Sequence, residues 1–218
     1  MSFYCSIYAS QMETFPMTDM IKAQREQLAR IALDNSDLLD ELFTRLESSS
    51  RRERQNAAAT LSAVASFDPQ AVFSRIDAFV NALDRPEAQT RWESLEVLTH
   101  FLSLDSDSCD KALPGAEGAL FDEDSGPLRL AALRFLCKYG ELSQKHSLQV
   151  WPLLDEAIQC YHGDLEFQDM LIAVISFSES DLAESVRDEL KDRMEFDAKH
   201  GRGVLKKRAQ LIIENLDK

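Results

Sequence analysis

The side chains able to do nucleophilic, acid–base or metal chemistry are thinly spread in this sequence. Four histidines (His100, His146, His162, His200) and four cysteines (Cys5, Cys109, Cys137, Cys160) lie far apart. There is no CxxC pair, and no histidine stands beside a serine or cysteine at a spacing that a nucleophile motif uses. Cys160-Tyr-His162 is the nearest approach to a couple, but side chains two positions apart on a helix diverge. Asp105-Ser-Asp107-Ser-Cys109-Asp110 has the carboxylates of a calcium loop without its sixth-position glycine or its twelfth-position glutamate, so it reads as a solvated turn. No GxSxG, HExxH or phosphate-cradling glycine loop occurs. The residues therefore point to no catalytic centre, no metal and no cofactor.

Charge narrows the partners. Against 24 Lys and Arg stand 38 Asp and Glu, a net charge of −14 over 218 residues. That balance opposes unselective binding to nucleic acid or anionic lipid, where cations must replace released counterions. A protein partner, basic or neutral, is the expectation. No run approaches the roughly 20 apolar residues that span a bilayer, so no membrane segment is expected. The scattered cysteines read as reduced thiols, which places the chain in the cytoplasm.

With seven Gly and six Pro, punctuation is sparse, as in an all-α chain. The organising stretch is Ser125-Gly-Pro-Leu-Arg-Leu-Ala-Ala-Leu-Arg-Phe-Leu-Cys-Lys-Tyr-Gly140. Pro127 suits a first helical turn, Leu128, Ala131, Ala132, Phe135, Leu136 and Tyr139 recur at helical spacing, and Gly140 reads as a left-handed C-cap. Residues like Arg129 recur at Arg54, Arg91, Gln168 and Lys207, at intervals of 37, 38, 39 and 39. That period implies stacked helical hairpins, each with an A and a B helix.

In order, residues 1–16 read as a tail and 17–218 as one repeat domain. A capping helix over 17–34, with Thr18 or Asp19 as its cap, uses Ile21, Leu28, Ile31 and Ala32 to cover the stack. Hairpins follow at about 36–67, 68–105, 106–142, 143–178 and 179–218. Ser50 to Glu53 fits a capping box, and Asp181 and Glu184 suit the start of the fifth A helix. The second A helix, from Asp68-Pro69 through Val72, Phe73, Ile76, Phe79, Val80 and Leu83, has the cleanest amphipathic pattern. Pro114, Gly115 and Gly118 interrupt the third, and Pro152 marks a place for a kink in the fourth.

These features resemble the HEAT-repeat family: five hairpins, proline near helix starts, and Arg-Leu-Ala-Ala-Leu at 129–133 matching the family's B-helix consensus. The resemblance implies an α–α superhelix. Asp124 or Asp122 before Arg129, like Asp84 before Arg91, resembles the family's aspartate–arginine ladder, so these arginines are expected in inter-repeat pairs. Unit four has Gln168 in place of the cation, and no aspartate shortly precedes Arg54. Armadillo-type units, in which the A segment breaks in two, stay open.

By the same resemblance the B helices line a concave surface. Helical phase puts Trp92, Glu96 and Thr99 on one flank of the second B helix, with Leu130, Arg134 and Cys137 or Lys138 at equivalent places on the third. Gln55 and Asp169 continue the row. Trp92 and Leu130 amid charges have the composition of an interface anchor, or Trp92 fills the seam between neighbouring B helices. Trp151, in line with Leu148, Leu154 and Ile158, reads as core. Lys199, His200, Arg202, Lys206, Lys207 and Arg208 form a basic cluster and a secondary site. The functional expectation is a non-catalytic protein-binding scaffold or adaptor. The alternative is an enzyme like the HEAT-like alkylpurine DNA glycosylases or tetrapyrrole (phycobilin) lyases, with Trp92 and Asp169 in the glycosylase roles. Partner identity and self-association are not legible.

Overall fold

The computed structural model describes residues 17–218, so the stretch read as a tail lies outside it. Twelve α-helices and one 3-10 turn follow in order, with no strand among the described residues. Helix α1 (Met17–Leu33) comes first, then hairpins α2 (Ser36–Leu46) with α3 (Arg51–Phe67), and α4 (Gln70–Phe73) plus α5 (Ile76–Ala82) with α6 (Ala88–Phe101). The 3-10 turn Asp107–Ala112 and α7 (Leu113–Leu120) pair with α8 (Gly126–Gly140). Helix α9 (Gln144–Cys160) pairs with α10 (Phe167–Ser178), and α11 (Glu184–His200) with α12 (Gly203–Leu216). No described helix is long and apolar enough to cross a membrane.

The B helices form a continuous inner row: α1 packs on α3, α3 on α6, α6 on α8, α8 on α10 and α10 on α12. The A segments touch one another only sparingly, through α2 with α5, α5 with the 3-10 turn, and α9 with α11. One layer is thus tight and the other splayed. The core runs the length of the row, through Leu61, Val64, Leu95, Leu98, Phe101, Leu128, Phe135, Leu136, Leu171 and Phe177. Side-chain oxygens of Asn35, Ser50, Ser125 and Ser143 accept from the first-turn N–H groups of α2, α3, α8 and α9, which is why those helices begin there.

Ion pairs, buried at Arg54–Glu87 and partly exposed at the next two rungs, join the units, and their direction corrects the sequence reading. Each arginine pairs with a carboxylate of the next unit and not with that of the aspartate preceding it; Arg129 reaches back only to backbone carbonyls, that of Asp122 at 3.0 Å. Arg54 pairs with Glu87, and Arg91 with Asp122 at 3.0 Å. Arg129 reaches Asp164 at 3.4 Å and Glu166 at 3.9 Å. Arg54 also donates to the carbonyls of Ser48 and Ser49 at 2.7 and 2.9 Å, so its guanidinium is well satisfied although no aspartate precedes it. Asp84 and Asp124 are exposed. At the fourth rung Gln168 accepts from Arg208, not Lys207, through its backbone and side-chain oxygens. A second, more exposed ladder crosses the A layer: Asp40 to Arg75 at 2.7 Å, Asp77 to Lys111, and Asp155 to Arg193 at 2.7 Å.

Other local expectations are also revised. The second A helix is two helices, because α4 packs on α3 while α5 packs on α6, and the chain bends at Ser74-Arg75 to serve both. Helix α9 continues through Pro152. Gly140 belongs to α8 and has no positive φ; a Cβ there would fall 2.6 Å from Phe177 and 2.7 Å from Val150, so close packing requires the glycine. The capping box is half formed, since Glu53 accepts from the Ser48 hydroxyl at 2.5 Å instead of from Ser50 N–H. Asp181 accepts from Gln144 at 3.0 Å, and Ala183 takes the N-cap position of α11. Helix α1 starts at Met17, so Thr18 and Asp19 lie inside it. It docks through Ala29 and Ala32, leaving Ile21, Leu28 and Ile31 exposed. Alanines allow a close approach to α3 that the isoleucines would prevent.

Two stability experiments follow. Glu87→Ala leaves the buried Arg54 without its carboxylate and should cost about 3–5 kcal/mol in denaturant unfolding, whereas Asp40→Ala, in an exposed pair, should cost less than about 1 kcal/mol. Gly140→Ala should lose about 1–3 kcal/mol by overpacking, while Gly118→Ala, whose Cβ meets nothing within 4 Å, should gain about 1 kcal/mol from helix propensity.

Candidate functional site

The side chains placed by helical phase on the inner face come from α6, α8 and α10, which the ion-pair ladder holds side by side. Glu96 and Arg134 meet at 3.5 Å across the α6–α8 boundary. Lys138 donates to Glu141 at 2.6 Å and to the Ser176 hydroxyl on α10 at 3.0 Å. With Thr99, Cys137, Ile172 and Ala173 these groups line a groove of about 250 Å³. Its floor is apolar and its rim carries paired charges. Thr99 turns its hydroxyl back to the Leu95 carbonyl at 2.7 Å and presents its methyl instead.

Trp92 and Leu130 are both half-buried and packed against the core. Each is a seam residue with an exposed edge. Asp169 is exposed on α10, and α8 lies between it and the α6 helix of Trp92. The structure therefore assembles Glu96, Arg134 and Lys138 into one groove, but does not bring Trp92 and Asp169 together as a glycosylase pocket would need. Ile172, half exposed within the groove, is the residue that sequence reasoning missed. Its signal was present: Met170-Leu-Ile-Ala-Val-Ile175 is apolar on more sides of α10 than one core can cover.

One carboxylate in the row is unusual. Glu93, next to Trp92, is pushed above the ordinary glutamate range chiefly by burial, against the opposing pull of hydrogen bonds from Ser62 and Trp92 and of Arg25 on α1. Two buried thiols are held in the protonated form. Burial pushes Cys109 up to about 12 and Cys137 further still, and neither approaches a base. His162 turns away from Cys160 to Asp197 at 3.0 Å, and Asp105 accepts from Ser108 to close its turn. Trp151 is buried and donates to Glu189 at 2.5 Å. The basic cluster is partly used internally: Lys199 pairs with Glu195, Lys206 donates to the Lys199 carbonyl at 3.0 Å, and Arg208 serves the ladder.

No protein-family model matches the sequence, and no curated protein matches it. Solved structures do. A designed armadillo repeat protein, YIII(Dq.V1)4CPAF in complex with peptide (KR)4, superposes with a TM-score of 0.67 at 15% identity, over 93% of this chain and 95% of that one. The karyopherin Kap121p, bound to the extreme C-terminus of the protein phosphatase Cdc14p, gives 0.69 at 18% identity, over 88% of this chain and 21% of that one. The fold is a HEAT/armadillo-like α-solenoid. Identities this low establish the fold alone. Within that solenoid α4–α5–α6 has the three-helix form of an armadillo unit, and α2–α3, α9–α10 and α11–α12 have the two-helix form.

The raised Glu93 gives a pH prediction. A carboxyl with a higher pKa in the folded state binds its proton there first, so it lowers stability as pH rises from its ordinary value near 4.5 through its folded value. Glu93→Gln should therefore raise the melting temperature at pH 7. That advantage should vanish below pH ~4.5, where wild-type Glu93 is neutral in both states.

Proposed function

We propose that this solenoid is a non-catalytic scaffold that captures a segment of a partner protein along its inner, B-helix surface. The observation that carries this reading is the groove at α6, α8 and α10, where Glu96, Arg134, Lys138 and Ile172 stand on three helices tied to one another by inter-unit ion pairs. A surface that is preorganised loses little entropy on binding, and an apolar floor with a polar rim is the anatomy of a protein-binding site. Trp92, Leu130 and Asp169 extend the same row. Both solenoid neighbours described above hold peptide segments, (KR)4 in one and the end of Cdc14p in the other, which supports the same use here. The acidic chain favours a basic or neutral partner over nucleic acid.

Position-specific photo-cross-linking in the native cell tests the proposal. A cross-linker at Arg134, in the groove, should trap a discrete protein, and one at Glu156, exposed on the outer α9 helix, should not. Equal yields from both positions, or trapping from the outer position alone, overturn the assignment. Replacing Trp92 by alanine should weaken the same capture while leaving the helical content unchanged by circular dichroism.

A further inference from the structure

We infer that the basic face around the α11–α12 turn is a second docking site, apart from the groove, and that it takes an acidic segment of a partner protein bearing an apolar side chain. From residue 198 to residue 213 the chain has five Lys and Arg and no Asp or Glu, against a net charge of −14 for the whole. The fold gathers these cations, since Lys206 on α12 donates to the Lys199 carbonyl at the end of α11 at 3.0 Å and Arg202 stands in the turn between the two helices. Part of this charge serves the fold. Lys199, His200 and Lys206 stand at the C-terminus of α11, where a helix favours positive charge, and Arg208 donates to Gln168. Arg202 and Lys207 have no such use. Both are exposed, neither makes an ion pair or a side-chain hydrogen bond among the described residues, and the N-terminal end of α12 offers a cation no stabilisation from the helix dipole. The carboxylates nearby are engaged: Glu195 by Lys199, Asp197 by His162 at 3.0 Å and Asp164 by Arg129 at 3.4 Å. Glu214, farther along α12, lines a cleft with Lys191 and Lys199. An acid supplied from outside therefore meets cations that no internal carboxylate holds, and the forked donors of Arg202 suit a carboxylate.

Two observations select a short polypeptide over an extended polyanion. The turns between A and B helices stand in line along one edge of the solenoid, because each ladder arginine joins the start of one B helix to the turn before the next. On that edge the second and third units expose Asp84, Glu123 and Asp124, so a nucleic acid or an anionic bilayer lying along it meets like charge beyond the last hairpins. A few residues of polypeptide touch the basic turn alone. The second observation is Phe196, 70% exposed on α11 with its ring 5.1 Å from that of His200. A large aromatic side chain standing in water beside cations offers an apolar contact that an oligonucleotide backbone cannot use and an acidic segment with a phenylalanine or leucine can. Long-range attraction to this acidic chain still favours a partner that is basic or neutral as a whole, so the acid belongs to a local segment of it.

A fluorescein-labelled peptide of alternating glutamate and aspartate with one central phenylalanine, titrated into the full chain by fluorescence anisotropy, tests the site. Its comparators are the same peptide with lysine for every acid, a single-stranded oligonucleotide of equal charge, and phosphatidylserine vesicles. The acidic peptide should bind about tenfold tighter than the lysine peptide or the oligonucleotide, and should weaken as salt is added. Arg202→Glu with Lys207→Glu should weaken it by about tenfold and flatten its salt dependence, with the helical circular dichroism unchanged. Arg202→Gln with Lys207→Gln, which adds no new charge, should weaken it in the same direction by less. Phe196→Ser should weaken it several-fold and leave the salt dependence as it was. Wild-type affinity in both double variants, equal affinity for the lysine peptide, or tighter binding of the oligonucleotide or the vesicles than of the acidic peptide overturns the assignment. The groove is tested separately by cross-linking at Arg134, so either site can fail without the other.

Discussion

The structure depends on a guanidinium reaching forward from one B helix to a carboxylate in the next unit. Taking a charge out of water costs several kcal/mol, and a lone ion pair seldom recovers it. Arg54 and Arg129 meet that cost with additional hydrogen bonds to carbonyls of their own A–B turns. A buried arginine held by its own turn and by the neighbour's acid leaves little freedom for one hairpin to rotate on the next. Equivalent positions such as Gln55, Trp92, Leu130 and Asp169 stay in register from one B helix to the next for that reason. The A layer is bridged instead by exposed pairs such as Asp40 with Arg75, each worth about 0–1 kcal/mol, so it tolerates being splayed.

The period was legible because an arginine followed by small residues is what close B-to-B packing against a neighbouring acid demands, and that demand repeats in the first three units. The direction of the pairs was not legible. Asp84 is near Arg91 in sequence while Asp122 is its partner in space, and Glu87 reads as an ordinary helix-start acid until burial shows otherwise. Gly140 has the same blind spot, since a glycine at a helix end signals a cap and a close approach equally well. The bend at Ser74-Arg75 has no breaker residue, because two different B helices impose it from outside. On α1 the large apolar residues read as the buried face, yet the smaller alanines take it, since contact distance to α3 outweighs side-chain area.

The inner-surface residues were legible by phase but not by environment. Helical periodicity puts Glu96, Arg134 and Lys138 on one side of their helices. It does not say that Glu96 and Arg134 satisfy each other, or that Lys138 is held by Glu141 and Ser176. Trp92 and Leu130 could be core or anchor by sequence, and their half-buried state makes them partly both. Ile172 was hidden because its position is core in the first three units, and repeat logic carried that expectation into the fourth.

In the proposed use of the groove, these pairings divide it into regions with different roles. A ligand over α6 and α8 meets charges already matched, and exchanging one exposed pair for another gains about 0–1 kcal/mol. The middle of the groove therefore contributes mainly to which partner fits, through charges it can clash with and through Thr99, Cys137 and Ala173 on its floor. At α10 and α12 the aliphatic side chains of Ile172, Val204 and Leu211 are in water. Covering Ile172, Val204 and Leu211 removes apolar surface at roughly 25 cal/mol per Å², a gain with no opposing loss of an existing contact. Affinity should thus concentrate at the C-terminal end of the row and selectivity at its centre, a division that follows from which side chains the fold has already satisfied.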